Sequence, residues 1–196
     1  QGGLNLHCFC ENDGVNRYDA LGLSATVDLN AQAFWKDIEK RLNDDLKYEW
    51  TARFLNKSLQ TNFDRRNAWE YSERPSLGKE IQGTSEYQVD VRNLIDNAVP
   101  NAPHVNQQSQ LKYKNGDLHA AIEVANVRYR GKICKRKKNK WTWELKVNVS
   151  GRFDYQEWRF ADIPNFDTKL AGLYSDAIVA FDWETNFEEN GSRIIR

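Results

Sequence analysis

The sequence predicts an α+β domain in which N-terminal helices precede an antiparallel β-meander. Two patterns carry that expectation: apolar residues recur every three or four positions early in the chain, and from Leu111 onward the period falls to two. Size is the third observation. A chain of 196 residues, 40% hydrophobic and 12% aromatic, can bury a core without help from disulfides or a structural metal.

The elements follow in order. Gln1 to Leu23 is rich in Gly and Asn, with apolar residues near alternate positions, and reads as a short hairpin turning at Asn12-Asp13-Gly14 and stopping at Gly22. Asp28 or Asn30 can cap a helix beginning near Ala31. Phe34, Trp35, Ile38, Leu42, Leu46, Trp50, Phe54 and Leu55 then form one apolar stripe to about Leu59, with room for one break. Asn62 to Gly83 is polar, contains Arg74-Pro75, and reads as a helix end and loop. A second helix is expected over Ser85 to Ala98, closed by Pro100 and Pro103, with His104 in the following loop. Asp117 to Ala125 reads as a strand with a bulge after Asn126, or as a short helix. In either form His119 and Glu123 share a face.

Gly131 to Lys140 reads as a turn, and Trp141 to Val149 alternates cleanly as a half-buried strand. Arg152 to Phe160 is expected as a further strand, Asp167 to Tyr174 as a short helix, and Ala177 to Trp183 as a strand. Asn190-Gly191 would then turn the chain into a last strand, Arg193 to Arg196.

Charge narrows the function classes. The 28 basic and 28 acidic side chains cancel; leaving out Arg17, Glu11, Asp13 and Asp19 leaves 27 against 25 in residues 24–196. That balance argues against a bulk polyanion binder, and the 29% charged content with clear apolar periodicity argues against disorder. No apolar run reaches the roughly 20 residues of a spanning helix, and the N-terminus lacks the plan of a signal peptide. A chain that starts at Gln1 and contains no Met is expected to be part of a longer product. Cys8, Cys10 and Cys134 fit neither a disulfide framework nor a zinc site and are expected as reduced structural thiols; no metal or cofactor is expected.

The opening stretch also resembles the end of the core in RHS/YD-repeat proteins. Gly2, Gly3, Asn5, Leu6, Phe9, Asn12, Val15, Asn16, Asp19, Gly22 and Leu23 stand in the family's order, with His7 where Tyr is usual and Ala20 in place of the Pro of the DPxGL signature. The resemblance implies that residues 1–23 end a β-rich cocoon and that 24–196 form a C-terminal toxin domain displayed behind it. It implies aspartyl self-cleavage after Leu23, in a motif closed by Gly22 and Leu23, with Asp19 as one protease carboxylate. The second carboxylate would come from upstream core, so this chain alone is not expected to cleave itself. Implied partners are the cocoon and a cognate immunity protein. The implied route is delivery into a target cell by type VI or related secretion.

For chemistry, GxSxG, Walker, HExxH and paired CxxC motifs are all missing. RNA cleavage needs only a base, an acid and a cation around one phosphodiester, because the 2′-hydroxyl is the nucleophile; His119, Glu123 and Arg152 are the candidates. Arg128, Arg130, Lys135, Arg136, Lys137 and Lys138 belong to an acid-free basic run suited to phosphate. The expected layout resembles the barnase, EndoU and RelE group of ribonucleases, and a nuclease would act in the target cytoplasm. An envelope hydrolase is the alternative: Asp154, Tyr155, Trp158, Asp162, Asp167 and Asp182 place carboxylates among aromatics. This set is similar to the Asp-Tyr-Asp motif of colicin M-like lipid II hydrolases, without the His-Arg pair that follows it there. A membrane-disrupting toxin is a third reading, opposed by the lack of an apolar helix.

Overall fold

A computed structural model of the chain describes residues 29–59, 74–99, 104–136 and 140–194. The expected hairpin with Asp19, Gly22 and Leu23, the cap Asp28, Cys8 and Cys10, Asn62 to Glu73, Pro100, Pro103, and Lys137 and Lys138 lie outside them. The architecture is α+β, with helices preceding a four-stranded antiparallel sheet of order β1-β2-β3-β4. Two compact units take their residues from Gln1–Phe63 with Asp154–Ala180, and from Asp64–Phe153 with Phe181–Arg196.

The first unit is built on α1 (Leu29–Arg41) and α2 (Glu49–Ser58). The expected break falls between them. Leu42–Leu46 is a π-turn, Lys47 takes φ 59°, and the Tyr48 N–H closes the turn on the Leu42 carbonyl at 2.8 Å. Asn43, Asp44 and Asp45 compete for backbone hydrogen bonds and make this the weakest point of the stripe. Because α1 begins at Leu29, Asn30 lies inside its first turn rather than capping it. Trp35 is fully buried, donates Nε1–H to the Tyr174 carbonyl at 2.8 Å, and packs against Phe34, Tyr155 and Phe160.

The expected strand Arg152 to Phe160 is not formed as such. Gly151 to Phe153 end the preceding strand, Glu157–Phe160 is a 3-10 turn, and buried Arg159 bonds both the carbonyl and carboxylate of Asp154. The short helix α6 (Thr168–Leu173) forms as expected, capped by Asp167, whose carboxylate accepts from the amides of Lys169 and Leu170.

The second unit begins with α3 (Arg74–Gly83), which corrects the loop expected there. A proline in the first turn of a helix removes only an N–H that has no helical partner, and Leu77 and Ile81, four apart, are both buried. Thr84 ends α3 and caps α4 (Ser85–Asp96), accepting from the Tyr87 amide. The sheet comprises β1 (His104–Lys112), β2 (Val124–Arg136), β3 (Lys140–Phe153) and β4 (Phe181–Ile194), with α5 (Gly116–Ala121) between β1 and β2.

Five expectations change here, each for a physical reason. His104 opens β1, paired with Lys132, because β1 is a polar strand whose exposed pattern hides its pairing. The bulge after Asn126 is absent, since β1 and β2 pair without interruption from Val124 to Lys132; the phase shift marks the passage from helix to strand at Glu123. Gly131 is no turn: it lies inside β2, where a Cβ would sit 2.0 Å from the Glu144 carbonyl oxygen, and both strands continue to Arg136 and Lys140. Asn190-Gly191 lies inside β4 because Gly191 passes beneath the Trp143 indole, 2.3 Å from any Cβ. Ala177 to Ala180 precedes the strand: Ser175–Ala177 is a 3-10 turn and β4 starts at Phe181.

Most odd-numbered positions of β2 and β3 are buried, among them Val127, Tyr129, Ile133, Leu145, Val147 and Val149. Helix α3 crosses β4 so closely that a Cβ on Gly78 would lie 2.9 Å from Phe187 and Thr185. Asp90 ties α4 to the sheet by accepting from the Ser109 hydroxyl at 2.5 Å and the Tyr129 hydroxyl at 2.6 Å. Glu189 accepts from Gln82 at 2.7 Å and from the Tyr87 hydroxyl at 3.4 Å.

Burial pushes the Tyr113 phenol up to about 12, and burial, reinforced by Glu189 at Tyr87 and by Asp90 at Tyr129, pushes those two further. An unfolded chain releases these protons near the ordinary value of 10.0, whereas the folded chain keeps them. Stability is therefore expected to be full below about pH 10 and to fall above it, by about 1.4 kcal/mol per pH unit for each tyrosine. Urea midpoints followed by circular dichroism between about pH 8 and 11.5 test this, and a flat profile would refute it.

Candidate functional site

Alternation along the strands sends the even-numbered side chains of the sheet to the face opposite α3 and α4. The described residues of this face include no Phe, Tyr or Trp. On β1 it carries Asn106, Gln108 and Gln110, all exposed; on β2 it carries half-buried Arg128 and exposed Arg130 and Lys132. The register sets Arg130 between Asn106 and Lys146, and Arg128 between Gln108 and Asn148. Asp182, Glu184 and Glu188 of β4 face the same way at the other edge, and exposed Glu144 of β3 stands opposite Lys132.

A shallow depression at the centre is lined by Arg128, Arg130, Lys146, Asn148, Asn186 and Glu188, together with Val147 and Phe187, whose ring packs on Tyr87 of α4. Arg128 Nε donates to the Asn106 side-chain oxygen at 3.3 Å, while Asn148 donates to Asn186 at 2.9 Å and to Glu184 at 3.3 Å. Arg130 stands directly opposite Lys146, a like-charge pair that is unfavourable in an antiparallel sheet, and Lys146 in turn stands opposite Glu188. Among the described residues, neither Arg128 nor Arg130 makes an ion pair with a carboxylate.

The structure separates the candidates that the sequence grouped. Lys135 belongs to the opposite face, its ammonium 5.7 Å from the centroid of the Trp141 ring. Arg136 ends β2. Arg152 lies on the outer face of β3, opposite Asp182 and paired with it at 3.6 Å with both side chains largely exposed, an arrangement that contributes little to stability. His119 is half-buried on α5, and its Nδ1 bonds the Tyr113 carbonyl oxygen at 2.9 Å. A carbonyl only accepts, so Nδ1 carries the proton and the neutral ring keeps its lone pair on Nε2, the form a general base needs.

Of the two readings of this segment, the structure takes the helix, but it ends at Ala121. Glu123 lies beyond, exposed, with φ 56° and its amide bonded to the His119 carbonyl at 2.9 Å. The helix leads into β2, so His119 and the first of the β2 cations belong to successive elements.

Of the alternative carboxylates, Asp154 is bound to Arg159, Asp162 accepts from the Tyr48 hydroxyl at 2.9 Å, and Asp167 caps α6. Cys134 is a free, half-buried thiol on the outer face of β2. Among the described residues there is no cluster of His, Cys, Asp and Glu suited to a metal ion, and no helix long and apolar enough to cross a membrane. Sequence reading did not single out Lys146 or Asn148 as site residues. Their signal was the polar phase of the strand around Trp141 to Val149, which already set both on the exposed side.

No protein-family model matches the chain, and no curated protein does. Among solved structures it is similar to the bacteriocin syringacin M from Pseudomonas syringae pv. tomato DC3000. The likeness to the truncated form has a TM-score of 0.41 at 16% identity over 74% of this chain. The likeness to the D232A mutant scores 0.39 at 15% identity over 69% of this chain, and that to the unmodified bacteriocin 0.39 at 18% over 59%. The chain spans 60%, 44% and 42% of those chains respectively, about half their length, and at these scores no residue's role is carried across.

Proposed function

We propose that this chain is a toxin domain displayed behind the end of an RHS/YD-repeat core, and that it acts as a hydrolase with RNA as its substrate. The row of basic side chains on the outer face of β2, in which Arg128 and Arg130 make no ion pair among the described residues, is the observation that supports an RNA substrate. His119, held by the Tyr113 carbonyl with Nε2 as its basic nitrogen, serves as general base. Glu123 and Arg152 are the accompanying acid and cation. The toxin role rests on the opening motif with Asp19, Gly22 and Leu23, and a cognate immunity protein is part of the same proposal. Delivery is into a target cell, whose cytoplasm holds the RNA.

The test is total RNA on a gel minutes after the chain is induced in the cytoplasm of a bacterium without an immunity gene. Discrete fragments are expected. Intact RNA in dying cells, with toxicity only on periplasmic expression, would replace the ribonuclease by an envelope hydrolase.

A further inference from the structure

We infer that the outer face of β2 binds one RNA strand lengthwise, with Arg128, Arg130 and Lys132 holding successive phosphates and Lys146 flanking the middle one. The inference deepens the ribonuclease reading and rests on it. Same-face residues on an antiparallel strand are about 6.8 Å apart, so the three cations span about 14 Å in a straight row. The two phosphorus atoms of a diphosphate share one oxygen and cannot reach across three such positions; a polynucleotide backbone, with a sugar between phosphates, can.

Width is limited as well. The carboxylates of Glu184 and Glu188 on β4 lie two strands away from the basic row, about 9.6 Å, that of Glu144 lies one strand away beside Lys132, and together they repel a second backbone. That selects a single strand over a duplex. With no Phe, Tyr or Trp on the face, bases cannot stack there as they do on aromatic platforms, so contact is through phosphate and sugar. Asn106, Gln108 and Asn148 flank the row and offer amides to the sugar hydroxyls. At its low-numbered end the row leads back toward α5, which carries His119.

The full chain and its variants would be titrated against labelled 2′-O-methyl oligoribonucleotides, which lack the attacking hydroxyl and survive the measurement. Fluorescence anisotropy is read at several salt concentrations. Each single-strand phosphate held contributes about −0.7 to the slope of log affinity against log salt, so the three phosphates place the intact chain at about −2.1. Arg128→Ala and Lys132→Ala should each reduce that magnitude by about 0.7, and Arg130→Ala and Lys146→Ala, which share the middle phosphate, each by less, whereas Lys169→Ala on α6 leaves it unchanged. Affinity should rise with oligonucleotide length until three phosphates are present, and inorganic pyrophosphate should compete poorly.

Unchanged slopes in the four variants, or pyrophosphate competing as well as the oligonucleotide, would overturn the row. Cellular RNA still cut in that event would leave the ribonuclease reading standing. No binding together with intact cellular RNA would remove both.

Discussion

His119→Ala is expected to lose about 10²–10⁴-fold in RNA cleavage while the chain stays folded. The ring is half-buried and bonds through Nδ1 to a backbone carbonyl, so its removal costs that hydrogen bond, about 1 kcal/mol, which a folded chain tolerates. What goes is the basic Nε2. A partner experiment isolates Glu123. It occupies a left-handed backbone position at φ 56°, so Glu123→Gly relieves strain of about 1 kcal/mol while deleting the carboxylate. An unchanged or raised unfolding temperature together with lost cleavage would assign the carboxylate to the chemistry. Full cleavage by either variant would remove that residue from the mechanism. Initial rates on a labelled RNA, with thermal midpoints measured on the same samples, decide both.

Trp35→Ala is expected to destabilise the first unit by about 3–5 kcal/mol. Trp35 is fully buried, and its ring meets Phe34 at 4.9 Å, Phe160 at 5.3 Å and Tyr155 at 5.8 Å between centroids. Alanine leaves a cavity among these aromatics and takes from the Tyr174 carbonyl the indole donor 2.8 Å away. Urea unfolding would measure the loss, and a cost under about 1 kcal/mol would mean that the site collapses around the smaller side chain.

Much of the architecture was legible because hydrophobic period reports burial. The stripe from Phe34 to Leu55 gave α1 and α2 with their break, and the Trp141 to Val149 alternation gave the centre of β3. Glycine and proline misled where they marked proximity or a helix start. Gly131 and Gly191 read as turns, yet they are strand positions whose missing Cβ makes room for the Glu144 carbonyl and the Trp143 ring. Pro75 read as a loop residue, yet it stands in the first turn of α3. Strand β1 escaped because its His-Val-Asn-Gln-Gln-Ser-Gln sequence puts the polar Gln107 and Ser109 on the inner face, so the alternation that marks a half-buried strand is weak.

The basic run was equally visible in one dimension, but linear spacing could not say which of its cations act together. A strand sends neighbours to opposite faces, and the register of β2 with β3 decides the rest. It keeps Arg128, Arg130 and Lys132 in one row, sends Lys135 to the Trp141 side, and brings in Lys146 from sixteen positions beyond Arg130. Residue types and periods alone thus determined the fold class, the apolar helix faces and the presence of basic chemistry. Which side chains share a surface was decided by strand pairing, because only hydrogen-bonded register sets residues distant in sequence a few ångströms apart.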